Sequence, residues 1–387
     1  MEFLHEGVPK YTRRAQWSAP TLHEPQLEEK DDYTDDLKAV LASFNVASKE
    51  WVIRQYDHEV QGGSAIKPLV GAGNDGPGDA SVLRPILGKD QGIAVGCGIY
   101  PQYSDIDPYW MAMAAIDEAV RNVVAVGGNP ERIAILDNFC WGNCNKPDRL
   151  GSLVKAAQGC YDAAMAFGTP FISGKDSLNN EFQTEDGHTI NIPGTLLISA
   201  VAMVDNVTRC VTMDAKQPGN TILMVGETKN ELGSSQYYKL YGELGANVPK
   251  VDLKAAPKVI NALAEAIKKG LVAACHDCSE GGLAVALAEM AFAGGRGLEV
   301  NLTKVPVSRD ITRPDQTLFS ESTTRFLLEA APENFGPLAQ LFRDIRFAEI
   351  GKVTDNQRFI IKTVGGKALI DADIYELKEA WQKPLRW

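Results

Sequence analysis

The chain has 387 residues, 44% of them hydrophobic and 23% charged, which is typical of a soluble globular protein. This length exceeds that of one ordinary core, so two domains are expected. The formal charge of −11 argues against a nucleic-acid partner, because phosphate backbones require a basic surface.

Targeting signals are not visible in the sequence. No apolar run approaches the ~20 residues that span a bilayer, so no membrane partner is expected. The N-terminal stretch Met1–Glu6 lacks the basic and apolar regions of a signal peptide. With seven scattered cysteines, these features predict a reducing, cytoplasmic setting.

Two cysteine pairs leave a zinc site open as an alternative. Cys140 and Cys144 bracket Trp-Gly-Asn, and Cys275 and Cys278 bracket His-Asp. Four thiolates form a zinc site where two such loops meet, but only the second pair has the usual spacing. The other interpretation is that these cysteines are small buried or loop residues near a polar site.

The first part of the chain is polar and contains prolines. Residues 1–44 have too little apolar content to form a domain, and they predict an extended arm with one short helix at 35–43. Such an arm also fits an inter-domain linker of a longer polypeptide. Residues 46–60, which include Lys49, predict a strand or a short helix.

A glycine-rich loop follows at residues 71–80. Its glycines fit the pattern G-x-G-x-x-G, but a dinucleotide site needs a helix directly after them. Residues 79–85 instead alternate between polar and apolar side chains and end at a proline, which predicts a strand. Residues 91–98 predict another strand. The loop therefore presents Asp79 at the start of a strand, unless Asp79 is a simple turn residue.

A long helix is predicted from Asp107 to about residue 126. Asp107 is the expected N-cap, and Pro108 is the expected first helical residue. Glu118 and Asn122 lie four residues apart and share one face of this mostly apolar helix. Burying them requires a partner, so either that face is solvated or the pair meets a cation.

An acidic residue follows the next apolar segment. Residues 132–136 predict a buried strand that ends in Asp137, a usual ligand position in open α/β sheets. A helix at 149–167 and a strand at 190–206 complete an α/β unit of normal domain size.

The stretch 168–182 is the densest polar segment near the middle of the chain. An apolar strand is expected to break at Gly174 into a run that contains Lys175 and Ser177. A phosphate loop requires Ser or Thr directly after its lysine, and here Asp176 follows. The stretch is therefore a polar site of another kind.

A second unit begins near Asp214. Its predicted strands cover 220–226, 271–275 and 345–363, and residues 319–329 predict a polar loop that enters a strand. Its predicted helices cover 257–269, 282–292 and the tail. Asp277 and Ser279 lie between a strand end and a helix N-terminus, where free N–H groups favour phosphate. The alternative for Ser279 is an ordinary N-cap.

These polar residues lie at element ends or on one helix face. The candidates for metal or phosphate binding are Asp79, Glu118, Asn122, Asp137 and Asp277, with Lys49, Lys175, Ser177 and Ser279 as phosphate partners. Oxygen ligands without clustered histidines suit Mg²⁺, which is held by carboxylates together with substrate phosphates. A covalent hydrolytic route is disfavoured, because neither a Ser-His-Asp elbow nor a convincing cysteine nucleophile is present. The residues thus predict a Mg-nucleotide protein outside the P-loop, kinase and Rossmann classes.

Four motifs carry a family resemblance. The runs 76–82, 117–123, 174–181 and 276–284 resemble, in the right order, the C-terminal synthetase half of phosphoribosylformylglycinamidine synthase, within the AIR synthetase superfamily. The resemblance implies a ligase reaction of purine biosynthesis. ATP phosphorylates the amide oxygen of formylglycinamide ribonucleotide, and ammonia from glutamine displaces the phosphate.

The same resemblance implies roles for individual residues. Asp79, Glu118, Asn122 and Asp277 match Mg²⁺ ligands of an auxiliary nucleotide site that holds ATP or ADP. Lys49 and Ser279 match residues that contact the nucleotide of this auxiliary site. Asp137, Gly174 and Ser177 match residues that contact the catalytic ATP, and Lys175 is expected to lie next to its phosphates.

The resemblance also implies a fold and partners. The expected fold is α/β, an AIR-synthetase-like two-domain unit with an N-terminal half-barrel sheet and a C-terminal α/β sandwich. The predicted limits are 1–44 for an arm, 45–210 and 211–365 for the two domains, and 366–387 for a helical tail. Expected partners are the N-terminal synthetase half, which carries the catalytic histidine and most of the small-molecule substrate pocket, and a glutaminase domain or subunit.

Three hypotheses about activity follow. The first is that the chain has no activity without its partners. An isolated chain is then expected to form a homodimer, because pairing closes the exposed edge of the half-barrel sheet. The second is a free-standing AIR-synthetase-like ATPase that acts on another acceptor. The third is a non-catalytic scaffold that holds a structural ADP.

Overall fold

The computed structural model describes Gly7 and residues 11–387. Its strands are β1 Ser64–Ile66, β2 Leu69–Val70, β3 Gly76–Pro77, β4 Ser81–Leu83, β5 Gly92–Ile99, β6 Ile133–Cys140, β7 Phe171–Ser177, β8 Glu181–Gln183, β9 Thr189–Asn191, β10 Thr195–Val204, β11 Thr221–Val225, β12 Ala274–Asp277, β13 Gly297–Asn301, β14 Phe326–Ala330, β15 Phe347–Thr354, β16 Arg358–Lys362 and β17 Ala368–Asp373. Its α-helices are α1 Thr34–Leu41, α2 Glu50–Arg54, α3 Pro108–Ala125, α4 Pro147–Phe167, α5 Gln236–Leu240, α6 Ala256–Lys268, α7 Gly282–Gly294, α8 Pro314–Phe319, α9 Phe335–Leu341 and α10 Ile374–Gln382.

A six-stranded sheet forms the N-terminal unit, in the order β1-β4-β5-β10-β6-β7. Only its last pair, β6 with β7, is parallel. Helix α3 covers one face against β5 and β10, and α4 packs on α3. The opposite face stays open: Val95 and Ile99 of β5 are 39% and 38% exposed.

Helix α3 begins as the sequence predicts. The Asp107 carboxylate accepts from the Tyr109 N–H at 2.9 Å, and Pro108 opens the helix. The helix approaches β5 closely, because a Cβ on Gly98 would lie 2.1 Å from the Ala115 carbonyl oxygen. Only glycine allows this approach, which brings the polar residues of α3 against the strand.

A seven-stranded sheet forms the C-terminal unit, in the order β12-β14-β11-β15-β13-β16-β17. The all-buried β11 and the nearly all-buried helix α7 lie in its core. Helix α1 also belongs to this core, with Leu37, Val40 and Leu41 fully buried. The segment predicted as an arm therefore contributes to packing, because one face of α1 is apolar.

The polypeptide before α1 contacts both units. The Gln16 N–H donates to the Pro147 carbonyl oxygen of the N-terminal unit at 2.9 Å. The Glu24 carboxylate accepts from the Ala246 and Asn247 N–H groups of the C-terminal unit at 2.8 and 2.6 Å. Among residues 11–387, no helix combines the length and apolar character needed to cross a membrane.

Several predicted strand limits are wrong. The polar run from Gly174 lies inside β7, and Asp137 lies inside β6, because backbone pairing between these two strands continues through both positions. The predicted strand 190–206 is two strands, β9 and β10, separated by residues 192–194. The predicted strand 271–275 is shifted to β12.

The C-terminal region also differs from the predicted limits. The predicted tail 366–387 begins with β17, which pairs with β16, so the sheet extends beyond residue 365 to Asp373. The predicted strand 345–363 is β15 and β16 with a turn between them. The remaining boundary, near residue 210, stays a prediction.

Candidate functional site

A cleft of about 330 Å³ lies between the two units. Six of the predicted site residues line it: Lys49, Asp79, Glu118, Asn122, Asp277 and Ser279. The N-terminal unit contributes side chains from helix α3 and from the loop before β4, and the C-terminal unit contributes the end of β12. The cleft thus brings together residues from both ends of the described chain.

The N-terminal unit supplies the helix face that carries Glu118 and Asn122. The Glu118 carboxylate accepts from the Ile99 N–H at 2.8 Å, and the Asn122 amide donates to the Cys97 carbonyl oxygen at 2.8 Å. Both side chains therefore lie against β5 at the edge of the cleft. This face of α3 thus contacts the backbone of β5. Burial raises the pKa of Glu118 to about 8, although Arg121 lowers it.

Asp79 lies between two partners from the C-terminal unit. Its Oδ1 atom is 2.7 Å from His276 Nδ1 and accepts from the Asp277 N–H at 3.1 Å. Its Oδ2 atom is buried and has no hydrogen-bond partner. Burial raises the pKa of Asp79, and the neighbouring His276 opposes this shift. Asp79 therefore contacts the C-terminal unit through its side chain, which a simple turn residue would not do.

Arg121 organises the other side of the cleft. Its guanidinium contacts Asp277 Oδ2 at 3.1 Å and Ser279 Oγ at 2.9 Å, and it also pairs with Asp117 on its own helix. Burial would raise the pKa of Asp277, but Arg121 and His276 hold it below its ordinary value. Ser279 Oγ in turn donates to Asp277 Oδ2. Ser279 is not an N-cap, because α7 begins after Gly281.

Lys49 enters the cleft from the segment before α2. Its ammonium group donates to the Asn45 carbonyl oxygen at 3.0 Å. The segment is held by α10, since the Trp381 indole N–H donates to the Val46 carbonyl oxygen at 2.9 Å. Burial lowers the pKa of Lys49, while Glu280 and Glu289 oppose the shift.

The donor set of the cleft fits a divalent cation. Ligand atoms of Asp79, His276 and Asp277 lie within 4.8 Å of one another. The unpartnered Asp79 Oδ2 is the strongest sign, because a buried carboxylate oxygen without a partner is costly. Carboxylate oxygens with the nearby Asn122 and Glu118 are the ligands that Mg²⁺ takes.

The remaining predicted residues form a separate group on β6 and β7. Asp137 pairs with Gly174, and Lys175 and Ser177 follow on the same exposed edge strand. A Cβ on Gly174 would lie 2.5 Å from Asp137 Oδ1, so the glycine makes room for this carboxylate. Burial, and then Asp176, raise the pKa of Asp137. None of these four residues lines the cleft.

The zinc alternative is wrong for the described part of the chain. Within residues 11–387, the cysteines belong to no group of three or more ligands that is close enough to hold a metal. All seven are free thiols, and Cys275 and Cys278 are buried. Burial raises the pKa of both of these thiols.

Sequence reasoning missed three residues in or beside the cleft: Arg121, His276 and Glu289. Arg121 had a local signal, because it lies four residues after Asp117 on the same helix. Glu289 had another, since a carboxylate in the apolar helix α7 needs a buried partner. That partner is His276, whose Nε2 atom lies 2.9 Å from Glu289 Oε2.

Comparison with known proteins agrees with this architecture. Residues 77–198 match the N-terminal domain of AIR synthase related proteins, and residues 217–364 match the C-terminal domain. The chain belongs to the AIR synthase related family. The fold is the two-domain α/β fold predicted from the motifs.

Curated relatives of this AIR synthase related chain are named phosphoribosylformylglycinamidine synthase subunit PurL. The protein from Thermococcus sibiricus is 37% identical over 344 residues, which cover 88% of this chain and 45% of the relative. The protein from Deinococcus radiodurans is 35% identical over 399 residues, with coverages of 99% and 51%. The chain therefore spans about half the length of the curated relatives it matches.

Solved structures show the same fold. Thermotoga maritima PurL complexed with FGAR superposes with a TM-score of 0.68 at 19% identity, covering 89% of this chain and 52% of that one. The complex of the same protein with ATP gives a TM-score of 0.66 at 18% identity, with the same coverages. At these identities the likeness concerns the fold alone.

Replacing Arg121 tests the buried ion pairs of the cleft. Arg121→Met leaves Asp117 and Asp277 buried without their cation, so the free energy of unfolding should fall by ~3–5 kcal/mol. Urea unfolding followed by circular dichroism measures this. Arg343→Met is the matched control, because its pair with Asp344 is exposed, and it should change stability by less than ~1 kcal/mol. Equal effects of the two substitutions would contradict the role of Arg121.

Proposed function

We propose that the cleft binds a Mg-nucleotide, ATP or ADP. The observation that carries this proposal is the convergence of six predicted site residues in one cleft, where the Oδ2 atom of Asp79 is buried without a partner. Asp79, Glu118, Asn122 and Asp277 would hold Mg²⁺, and Lys49 and Ser279 would contact the nucleotide. The cation supplies charge neutralisation for the phosphate oxygens when it is bound.

The residues of the chain have distinct tasks in this proposal. Lys49 carries a positive charge into the cleft from a segment that α10 holds in place. Ser279 presents a hydroxyl that Arg121 fixes. The side chains of Asp79, Asp277 and Arg121 are buried, which strengthens the charge interactions among them.

We further propose that the chain acts in ATP-dependent amidation of formylglycinamide ribonucleotide, as the C-terminal half of the synthase of purine biosynthesis. The names of the curated relatives support this reaction. Asp137, Gly174, Lys175 and Ser177 would face the catalytic ATP. Because β7 is the edge strand and β6 lies next to it, the opposite wall of that site would come from the N-terminal synthetase half.

Further partners follow from the same proposal. Ammonia would come from a glutaminase domain or subunit, and a similar solved structure, that of PurLQS from Thermotoga maritima, is consistent with partner subunits. That structure has a TM-score of 0.65 at 20% identity and covers 81% of this chain and 48% of that one. The substrate is a small molecule, and we place the protein in the cytoplasm.

A structural ADP without turnover is a second candidate. It is favoured by the fact that none of the predicted β6–β7 residues lines the cleft, so the cleft is a nucleotide site separate from that group. ADP retained through purification, with no release of phosphate, would support this candidate. A free-standing ATPase would instead turn over ATP with another amide or phosphate acceptor.

Asp79→Asn tests the metal site. The substitution keeps the size of the side chain but removes the charge of the carboxylate, so Mg²⁺-dependent ADP binding should weaken at least ~10-fold. Calorimetric titration with ADP in Mg²⁺ and in EDTA measures the effect. Asp186→Asn, at an exposed hairpin, is the control and should bind like the unmodified chain. Unchanged Mg²⁺ dependence in Asp79→Asn would count against the cleft.

An assay of the isolated chain tests whether the catalytic site needs residues from the N-terminal synthetase half. We expect no amidation of formylglycinamide ribonucleotide with ATP, Mg²⁺ and ammonia, because one wall of the catalytic site is supplied by the other half. Formation of amidine and ADP, followed by chromatography, is the measurement. Adding the separately produced N-terminal half should restore turnover. Turnover by the isolated chain would refute the proposed division.

The open face of the N-terminal sheet predicts a homodimer of the isolated chain. Pairing would cover the exposed Val95 and Ile99 and protect the edge strands β1 and β7. Light scattering at micromolar concentration should give twice the mass of the chain, and Val95→Glu should reduce it to the monomer. Val364→Glu, outside this sheet and 78% exposed, should stay dimeric. A monomeric unmodified chain would contradict the prediction.

A further inference from the structure

His276 lies between two carboxylates at the base of the cleft. Its Nδ1 atom is 2.7 Å from Asp79 Oδ1, and its Nε2 atom is 2.9 Å from Glu289 Oε2. The side chain is 8% exposed, so water has little access to either nitrogen. An ionised carboxylate can only accept, so each ring nitrogen that faces one donates its N–H to it.

The contact with His276 separates the two oxygens of Asp79. Oδ1 accepts from His276 and from the Asp277 N–H, whereas Oδ2 is buried without a partner. Rotation of the carboxylate out of its present plane would break both bonds. The arrangement therefore fixes the plane of the carboxylate and the direction of the oxygen that remains available to a ligand.

We propose that His276 is a positioning residue for the cation site: its Nδ1–H holds Asp79 Oδ1, so that Oδ2 remains directed at the cation. Glu289 holds the opposite side of the ring and sets its orientation. This inference rests on the proposed Mg-nucleotide site. The family resemblance implies no role for His276 or Glu289. Here both residues support one ligand of the cation, Asp79.

Direct coordination by His276 is the main rival. A ligating nitrogen needs a free lone pair, but both nitrogens face carboxylate oxygens at hydrogen-bond distance. Coordination would require the ring to leave Asp79 or Glu289. Oxygen-rich Mg²⁺ sites also take carboxylates and water in preference to imidazole. The geometry therefore favours support of Asp79 over direct ligation.

Two substitutions of His276 test the two ring nitrogens separately. The amide nitrogen of Asn takes the position of Nδ1, so His276→Asn keeps a donor for Asp79 and loses the one for Glu289. The amide nitrogen of Gln takes the position of Nε2, so His276→Gln keeps the donor for Glu289 and loses the one for Asp79. Both remove the same ring and the same charge, so their difference isolates the bond to Asp79.

The measured quantity is the gain in ADP affinity that Mg²⁺ provides, from calorimetric titrations in Mg²⁺ and in EDTA. His276→Asn should stay within about threefold of the unmodified chain. His276→Gln should lose ~10–100-fold of the gain, the usual cost of removing support for a metal ligand, with ADP affinity in EDTA unchanged. His188→Asn, whose side chain is 82% exposed, is the control and should keep the full gain.

Each outcome decides the inference. Equal losses in His276→Asn and His276→Gln, or no loss in either, would overturn it. If the unmodified chain gains no ADP affinity from Mg²⁺, both the nucleotide site and the inference fail; a gain without a difference between the variants refutes the inference alone. Should neither variant fold, nitrogen-15 spectra of the unmodified chain should show an Nδ1–H on His276 that persists with Mg-ADP, and its loss would overturn the inference.

Discussion

The buried guanidinium of Arg121 is the interaction on which the cleft depends. It joins helix α3 of the N-terminal unit to Asp277 at the end of β12 in the C-terminal unit. Asp117, one turn earlier on α3, pairs with Arg121 and accepts from the Thr324 N–H at 3.0 Å. Such buried pairs contribute little net stability, but breaking one leaves an uncompensated charge. The relative position of the two units at the cleft is therefore strongly constrained.

The cleft gathers more carboxylates than cations, which explains its proposed affinity for a divalent ion in physical terms. Its acidic side chains are Asp79, Glu118, Asp277, Glu280 and Glu289. Arg121, His276 and Lys49 compensate part of this charge. Burial raises the pKa values of Glu118 and Glu280, because a charged carboxylate is costly in a dry site. A bound cation would offset the same cost.

The sequence predicted six residues that line the cleft, but it did not predict which of them contact each other. Local rules suffice for the Asp107 cap and for the shared face of Glu118 and Asn122. The contact between Asp79 and His276 joins positions 197 residues apart, and no local pattern encodes it. The strand limits around Gly174 were missed for the same reason, because pairing with β6 decides where β7 ends.

The two groups of predicted residues share one scaffold. Glu118 and Asn122 lie on α3, which packs on β10 as well as on β5. Strand β10 pairs with β6, where Ile198 lies opposite Asp137. Helix α3 therefore packs on the same sheet that carries the exposed β6–β7 residues. Because Arg121 joins α3 to the C-terminal unit, this one helix connects the cleft with the sheet that carries the second group of residues.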